Sequence, residues 1–103
     1  ENVVLKNNVN SFKGTQLKSI LDDSSINNVI ITGAMSHMCI DAITRASSDY
    51  GYNCYLAHDA CASRDLEFDG VKVEATLVHA AYMASLEFGY AKVHSTNEIL
   101  DLI

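Results

Sequence analysis

Asn28-Val29-Ile30-Ile31-Thr32-Gly33-Ala34-Met35-Ser36-His37-Met38-Cys39 reads as a strand, a turn and the start of a helix. Val29 to Thr32 form an apolar run without alternation, stopped by Gly33, which is the pattern of a strand buried on both faces of a parallel sheet. From Cys39 onward Ala42, Ile43, Ala46 and Tyr50 recur at helical spacing, one stripe of an amphipathic helix that Gly51 closes as a C-cap. Ser36 is placed to act as its N-cap, which puts Cys39 in the first helical turn.

Working outward, Asn2-Val3-Val4-Leu5 predicts a short β-branched strand with Lys6 at its carboxyl end, followed by a polar loop from Asn7 to Gly14. Thr15 caps a short helix carrying Leu17, Ile20 and Leu21, which the Asp22-Asp23-Ser24-Ser25 cluster ends. Downstream, residues 53–57 predict another strand, then a long polar connection from His58 to Gly70. Residues 71–88 predict a helix apolar on most faces, hence buried on more than one side and a candidate oligomer surface. Gly89 ends it, Ala91 to His94 give a last strand, and Ser95-Thr96-Asn97-Glu98 opens a final helix. The order β-α-β-α-β-α-β-α implies an α/β fold, a parallel sheet with helices on both faces in three α/β/α layers. Residues 1–103 make a single domain, with no repeat or linker to divide them.

Of the 103 residues, 49% are hydrophobic and 19% charged, ample for a packed core. A formal charge of −6 without a Lys/Arg cluster argues against nucleic acid as a partner, because that affinity rests on neutralising phosphates. No apolar run reaches membrane-spanning length and no signal peptide is evident, so a cytoplasmic location away from membranes is expected. Cys39, Cys54 and Cys61 are odd in number and fit neither a disulfide framework nor C-x-x-C pairs, so they are read as reduced thiols. The chain contains no proline, and its start at Glu1 rather than Met hints at a processed or excised chain.

In an open parallel sheet ligands bind beyond the carboxyl ends of the strands, so chemistry is sought there. At a helix start, free backbone N–H groups and the positive end of the dipole favour a thiolate at Cys39 and could receive the oxyanion of a tetrahedral intermediate. Cys39 also lies on the apolar stripe, where a cysteine packs as a small hydrophobe. Lys6 reads as a solvated edge charge unless it converges on Cys39. His37 and His58 are candidates for contact with substrate, although the favoured reading of the His58-Asp59 segment is structural, with Asp59 holding the turn through backbone hydrogen bonds. The histidines are too scattered for a metal set, so neither metal nor cofactor is expected. G-x-S-x-G, G-x-G-x-x-G and the P-loop pattern are absent.

The stretch from Val29 to Ala42 resembles the strand, turn and helix around the nucleophile of the isochorismatase-like cysteine hydrolases, which include nicotinamidases and related amidases. The likeness continues through Thr44-Arg45-Ala46, Asp49-Tyr50-Gly51-Tyr52 and Asp59-Ala60-Cys61-Ala62. Val3-Val4-Leu5-Lys6, with Asn10-Ser11-Phe12, Thr15 and Leu17, resembles the segment bearing that family's catalytic lysine. The resemblance implies a Rossmann-like fold, Cys39 as the nucleophile of an acyl-enzyme pathway, and Lys6 as the group that stabilises its charge. It further implies a cis peptide at Ala34–Met35 and an oxyanion hole made by the Met35 and Cys39 N–H groups.

The family's general-base aspartate, in a D-x-Q-type motif, and its metal-binding Asp/His set have no counterpart upstream of Lys6. Asp41 is no substitute, since it lies two residues along the helix. The chain thus resembles the C-terminal part of a family member lacking its first strands. In the family's strand order 3-2-1-4-5-6 the gap falls between residues 2–5 and 28–33, and closing it is expected to disturb the spacing of Lys6 and Cys39. Direct pairing, a homo-oligomer or an N-terminal complementing segment could fill it.

The leading expectation is a cysteine hydrolase acting on a small amide or related carbonyl compound. Acid–base help is typically worth about 10²–10⁴-fold, so the chain alone is expected to turn over weakly or not at all. The alternative is a catalytically silent module serving assembly through the helix at 71–88. A redox-sensing thiol protein would need Cys39 near Cys54 or Cys61.

Overall fold

Val29 to Thr32 do build a strand, and its neighbours explain both its place and its limits. In the computed structural model, which describes residues 1–103, the elements run α1 (Leu17–Asp23), β1 (Asn28–Ala34), α2 (Cys39–Asp49) and β2 (Asn53–Ala62). They continue with β3 (Leu66–Phe68), β4 (Val71–Val73), α3 (Ala75–Gly89), β5 (Lys92–His94) and α4 (Thr96–Leu102). β1, β2 and β5 form a parallel sheet in the order β1-β2-β5, and β3 with β4 forms a separate antiparallel hairpin. The chain has an α/β fold.

Strand alternation sorts the side chains into two faces. Ile31, Cys54 and Leu56 point to one face and pack with Ile40 of α2 and Met83 and Leu86 of α3. Ile30 and Tyr55 point to the other, where Ile99 and Leu102 of α4 meet them. Expected burial of β1 on both faces is therefore only half realised. Ile31 is buried while Ile30 is 47% exposed, because short α4 covers its face partially and β1 pairs along one edge only.

The expected strand at residues 2–5 is not formed. Val3 and Leu5 are exposed and the segment runs extended without a ladder. β-propensity records packing against a neighbouring strand, and here no strand lies alongside.

The expected polar connection from His58 to Gly70 is largely β structure. Between the pairs Ile31↔Leu56 and Gly33↔Cys61, β2 spends more residues than β1, and the resulting bulge throws His58, Asp59 and Ala60 outward. Gly33 has φ +128, where an L side chain is strained, so glycine is required at this corner. Asp69 and Gly70, with φ 50 and 77, make the turn of the hairpin. Helix α3 consequently starts at Ala75 rather than residue 71, and the Asp65 carboxylate accepts from the Ala75 N–H at 2.8 Å. Its apolar surface is only partly used: Val78, Met83 and Leu86 are buried, whereas Leu77 is 61% and Phe88 95% exposed.

In α2 the buried line is Ile40, Thr44 and Ser47, one position round from the expected stripe. Thr44 Oγ1 is buried there without a hydrogen-bond partner. Removing an unsatisfied buried hydroxyl is neutral or favourable, so Thr44→Val is expected to stabilise the fold by about 1 kcal/mol. A urea midpoint that moves downward would contradict this.

Helix α1 begins with Gln16 in the cap position, and the Thr15 hydroxyl instead accepts from Leu17 N–H at 3.3 Å. α4 opens with a capping box, Ser95 and Glu98 bonding each other's N–H groups. The Asp59 carboxylate, at the bulge, accepts from the Thr96 N–H and hydroxyl at 2.8 and 2.7 Å and ties α4 to β2. These bonds hold the Asp59 carboxyl below the usual carboxylate range, and bonds from Ser95 do the same for Glu98. A depressed carboxyl stabilises the fold above its unfolded value and loses that contribution as pH falls through the folded one. Amide exchange in α4 is therefore expected to quicken below about pH 4, and Asp59→Asn to flatten that dependence. No helix of the chain is long and apolar enough to cross a membrane.

Candidate active site

β1 ends at Ala34, α2 begins at Cys39, and the four residues between them form a tight turn entered through a cis peptide at Ala34–Met35. Met38, not Ser36, occupies the N-cap of α2, and no side chain caps it. The Ser36 hydroxyl is turned inward instead, 2.7 Å from His79 Nδ1 on α3. The turn closes on the Met35 carbonyl, which accepts from Met38 and Ile40 N–H groups at 2.9 and 3.2 Å. No backbone carbonyl accepts from the N–H of Met35 or of Cys39.

Lys6 Nζ lies 3.1 Å from Cys39 Sγ. It also donates to the Asn8 carbonyl at 2.9 Å, which fixes the ammonium in place. The expected disturbance of this spacing does not occur, because the Lys6 segment is held by side-chain packing rather than by sheet pairing. Phe12 is buried, edge-on to Tyr50 at 5.0 Å and stacked with Tyr52 at 6.4 Å. Tyr52 OH in turn donates to Asp22 of α1. An aromatic anchor at the far end of α2 thus sets where Lys6 sits.

Lys6 and Cys39 share a groove of about 360 Å³ with Ile30, Thr32, Ala34 and Ile43. Because Ile30 to Ala34 are consecutive and alternate between sheet faces, a groove that touches all five runs along the open edge of β1. No carboxylate lines it. Asp41 faces away, accepting from Arg45 Nε at 2.9 Å, and that guanidinium also lies over the Tyr90 ring.

His37 and His58 do not line the groove. His37 Nδ1 is 2.9 Å from Ser63 Oγ with its ring edge-on to Tyr82, and exposed His58 lies where it lowers the carboxyls of Asp59 and Glu98. Burial pushes the thiols of Cys54 and Cys61 up, and all three cysteines are free. No three His, Cys, Asp or Glu side chains come together in a way that could hold a metal. Sequence reading singled out neither His79, which meets Ser36, nor Phe12, which packs on Tyr50 and Tyr52. Only the apolar character of Phe12 in a polar loop could have signalled the latter.

A family model described as the isochorismatase domain matches residues 1–88. The chain belongs to the isochorismatase family. Among its relatives, the isochorismatase family protein YddQ of Bacillus subtilis is 40% identical over 100 residues, covering 97% of this chain and 56% of that protein. Nicotinamidase 3 of Arabidopsis thaliana is 26% identical over 91 residues, covering 88% of this chain and 41% of that protein. The crystal structure of a protein assigned as an isochorismatase hydrolase, from Oleispira antarctica, superposes with a TM-score of 0.95 at 56% identity, covering 98% of this chain and 54% of that one. The chain spans about half the length of the relatives it matches.

Proposed function

We propose that this chain carries the nucleophile of a cysteine hydrolase that acts on a small amide or related carbonyl compound through an acyl-enzyme on Cys39. The observation that carries the reading is the 3.1 Å approach of the Lys6 ammonium to Cys39 Sγ, beside two unpartnered N–H groups at the start of α2. The sulfur attacks the carbonyl carbon, the Met35 and Cys39 N–H groups receive the oxyanion, and water later releases the acyl group. A groove of about 360 Å³ suits a small molecule. The nicotinamidase among the relatives supports an amide as the substrate class.

The test is cysteine-resolved alkylation across pH, followed by peptide mass spectrometry and a search for an acyl mass on the Cys39 peptide after exposure to small amides. Cys39 should react first, with Cys54 and Cys61 lagging because burial raises both thiols. A Cys39 that lags its neighbours and never acquires the acyl mass would sink the reading.

The open edge of β1 supports a further proposal about partners. A strand from a longer chain or from a second copy pairs along it and brings the carboxylate that the groove lacks, for the proton transfers of leaving group and water. Light scattering on this chain should then give an assembly larger than 11.2 kDa or, with a complementing segment added, a stoichiometric complex. A clean monomer that ignores such a segment counts against both. The same missing carboxylate, with Leu77 and Phe88 exposed on α3, favours a second reading as a silent assembly module.

A further inference from the structure

The turn between β1 and α2 is bolted down from outside by two imidazole–hydroxyl pairs. Ser36 is fully buried, its Oγ 2.7 Å from His79 Nδ1, and its N–H donates to the Ala62 carbonyl at the end of β2 at 2.8 Å. One residue on, His37 reaches Ser63 Oγ at 2.9 Å and packs edge-on against Tyr82, 6.1 Å between ring centroids. Both histidine contacts involve α3 or the segment after β2, never the groove.

A buried hydroxyl needs a partner, and a serine in a turn before a helix ordinarily finds one by capping that helix. Ser36 does not cap α2, and its side-chain partner comes from 43 residues away. An apolar residue could fill the position with no such requirement. The bond therefore restrains the turn in a way that burial alone does not.

We infer that His79 is a positioning residue: through Ser36 it fixes the turn that presents the Met35 and Cys39 N–H groups to the oxygen of a reacting carbonyl. This rests on the reading of Cys39 as a nucleophile. Loss of the bond leaves the Lys6–Cys39 pair in place, because Lys6 is held from the other side by Phe12 and the Asn8 carbonyl. It loosens only the donors for the oxyanion.

Two electrophiles separate these effects. With p-nitrophenyl acetate, the sulfur–carbon bond forms as the carbonyl pair moves onto oxygen, after which the ester C–O bond breaks and p-nitrophenolate leaves with its electrons. With iodoacetamide the sulfur–carbon bond forms at a saturated carbon as iodide departs, and no oxyanion develops. Both rates are measured at Cys39 by peptide mass spectrometry on the complete protein.

His79→Leu should lower acylation about 10- to 100-fold while alkylation stays within about twofold, since small misplacement of an oxyanion donor is costly. His79→Asn, which offers a polar atom near the Nδ1 position, should restore most of the loss. Ser36→Ala should repeat the Leu result and add nothing in the double variant, and it serves alone should His79→Leu fail to fold. Equal loss in both reactions, or loss in neither, overturns the inference. A wild-type Cys39 that alkylates but never acylates overturns the proposed function and this inference with it, whereas normal wild-type acylation with an unchanged ratio in the variants overturns the inference alone.

Discussion

Cys39→Ala is expected to abolish turnover of any small amide the complete protein hydrolyses, by at least about 10⁴-fold, because no covalent path remains without the sulfur. Neither neighbouring thiol can take over. Cys54 is buried in the core cluster, Cys61 packs against it, and burial raises both. The fold should survive, since Cys39 begins a helix, is only half-buried and gives way to the best helix former. A circular dichroism melt beside the turnover assay separates the two effects. Undiminished turnover would remove Cys39 from the mechanism, and a wild type silent toward every amide tested would bring the assembly module forward.

What was legible in the sequence was local. The strand at β1, the turn, and the helix after it follow from an apolar run, a glycine and helical spacing within a single stretch of chain, although that helix begins at Cys39 with Met38, not Ser36, in its N-cap. The capping of α4 by Ser95 and Glu98 was legible for the same reason, as both halves of the box lie three residues apart.

What was not legible depends on partners far along the chain. Residues 2–5 have the composition of a strand and no strand beside them. Ser36 looks like a cap because its true partner, His79, is 43 positions downstream. The bulge at 58–60 serves Thr96 of α4, which nothing near Asp59 announces. Asp69-Gly70 was a local signal passed over: the pair marks a hairpin, but the valines at 71 and 73 also suit a helical count, and the longer pattern hid the shorter. The pairing of Lys6 with Cys39 came from a family resemblance. Spacing alone gives no hint that Phe12, seated on Tyr50 and Tyr52, would carry the lysine there.

Lys6→Met should lower acylation at Cys39 by about 10²–10³-fold, the range expected when a charge aimed at developing negative charge is removed from a partly closed site. Methionine keeps the length and apolar stem of the lysine, so the segment from Val3 to Phe12 stays seated and the change isolates the ammonium. Unlike the His79 variants, this one should slow iodoacetamide as well as p-nitrophenyl acetate, because the charge acts on the sulfur itself and not only on the oxyanion. Lys6→Arg should recover only part of the loss: the planar guanidinium keeps the charge but cannot place a compact donor between the Asn8 carbonyl and Sγ. Added salt should do little, since the contact is partly buried and shorter than any screening length. Should Lys6→Met leave both rates unchanged, the 3.1 Å contact would be packing without consequence, and the charge partner of Cys39 would have to be sought outside this groove.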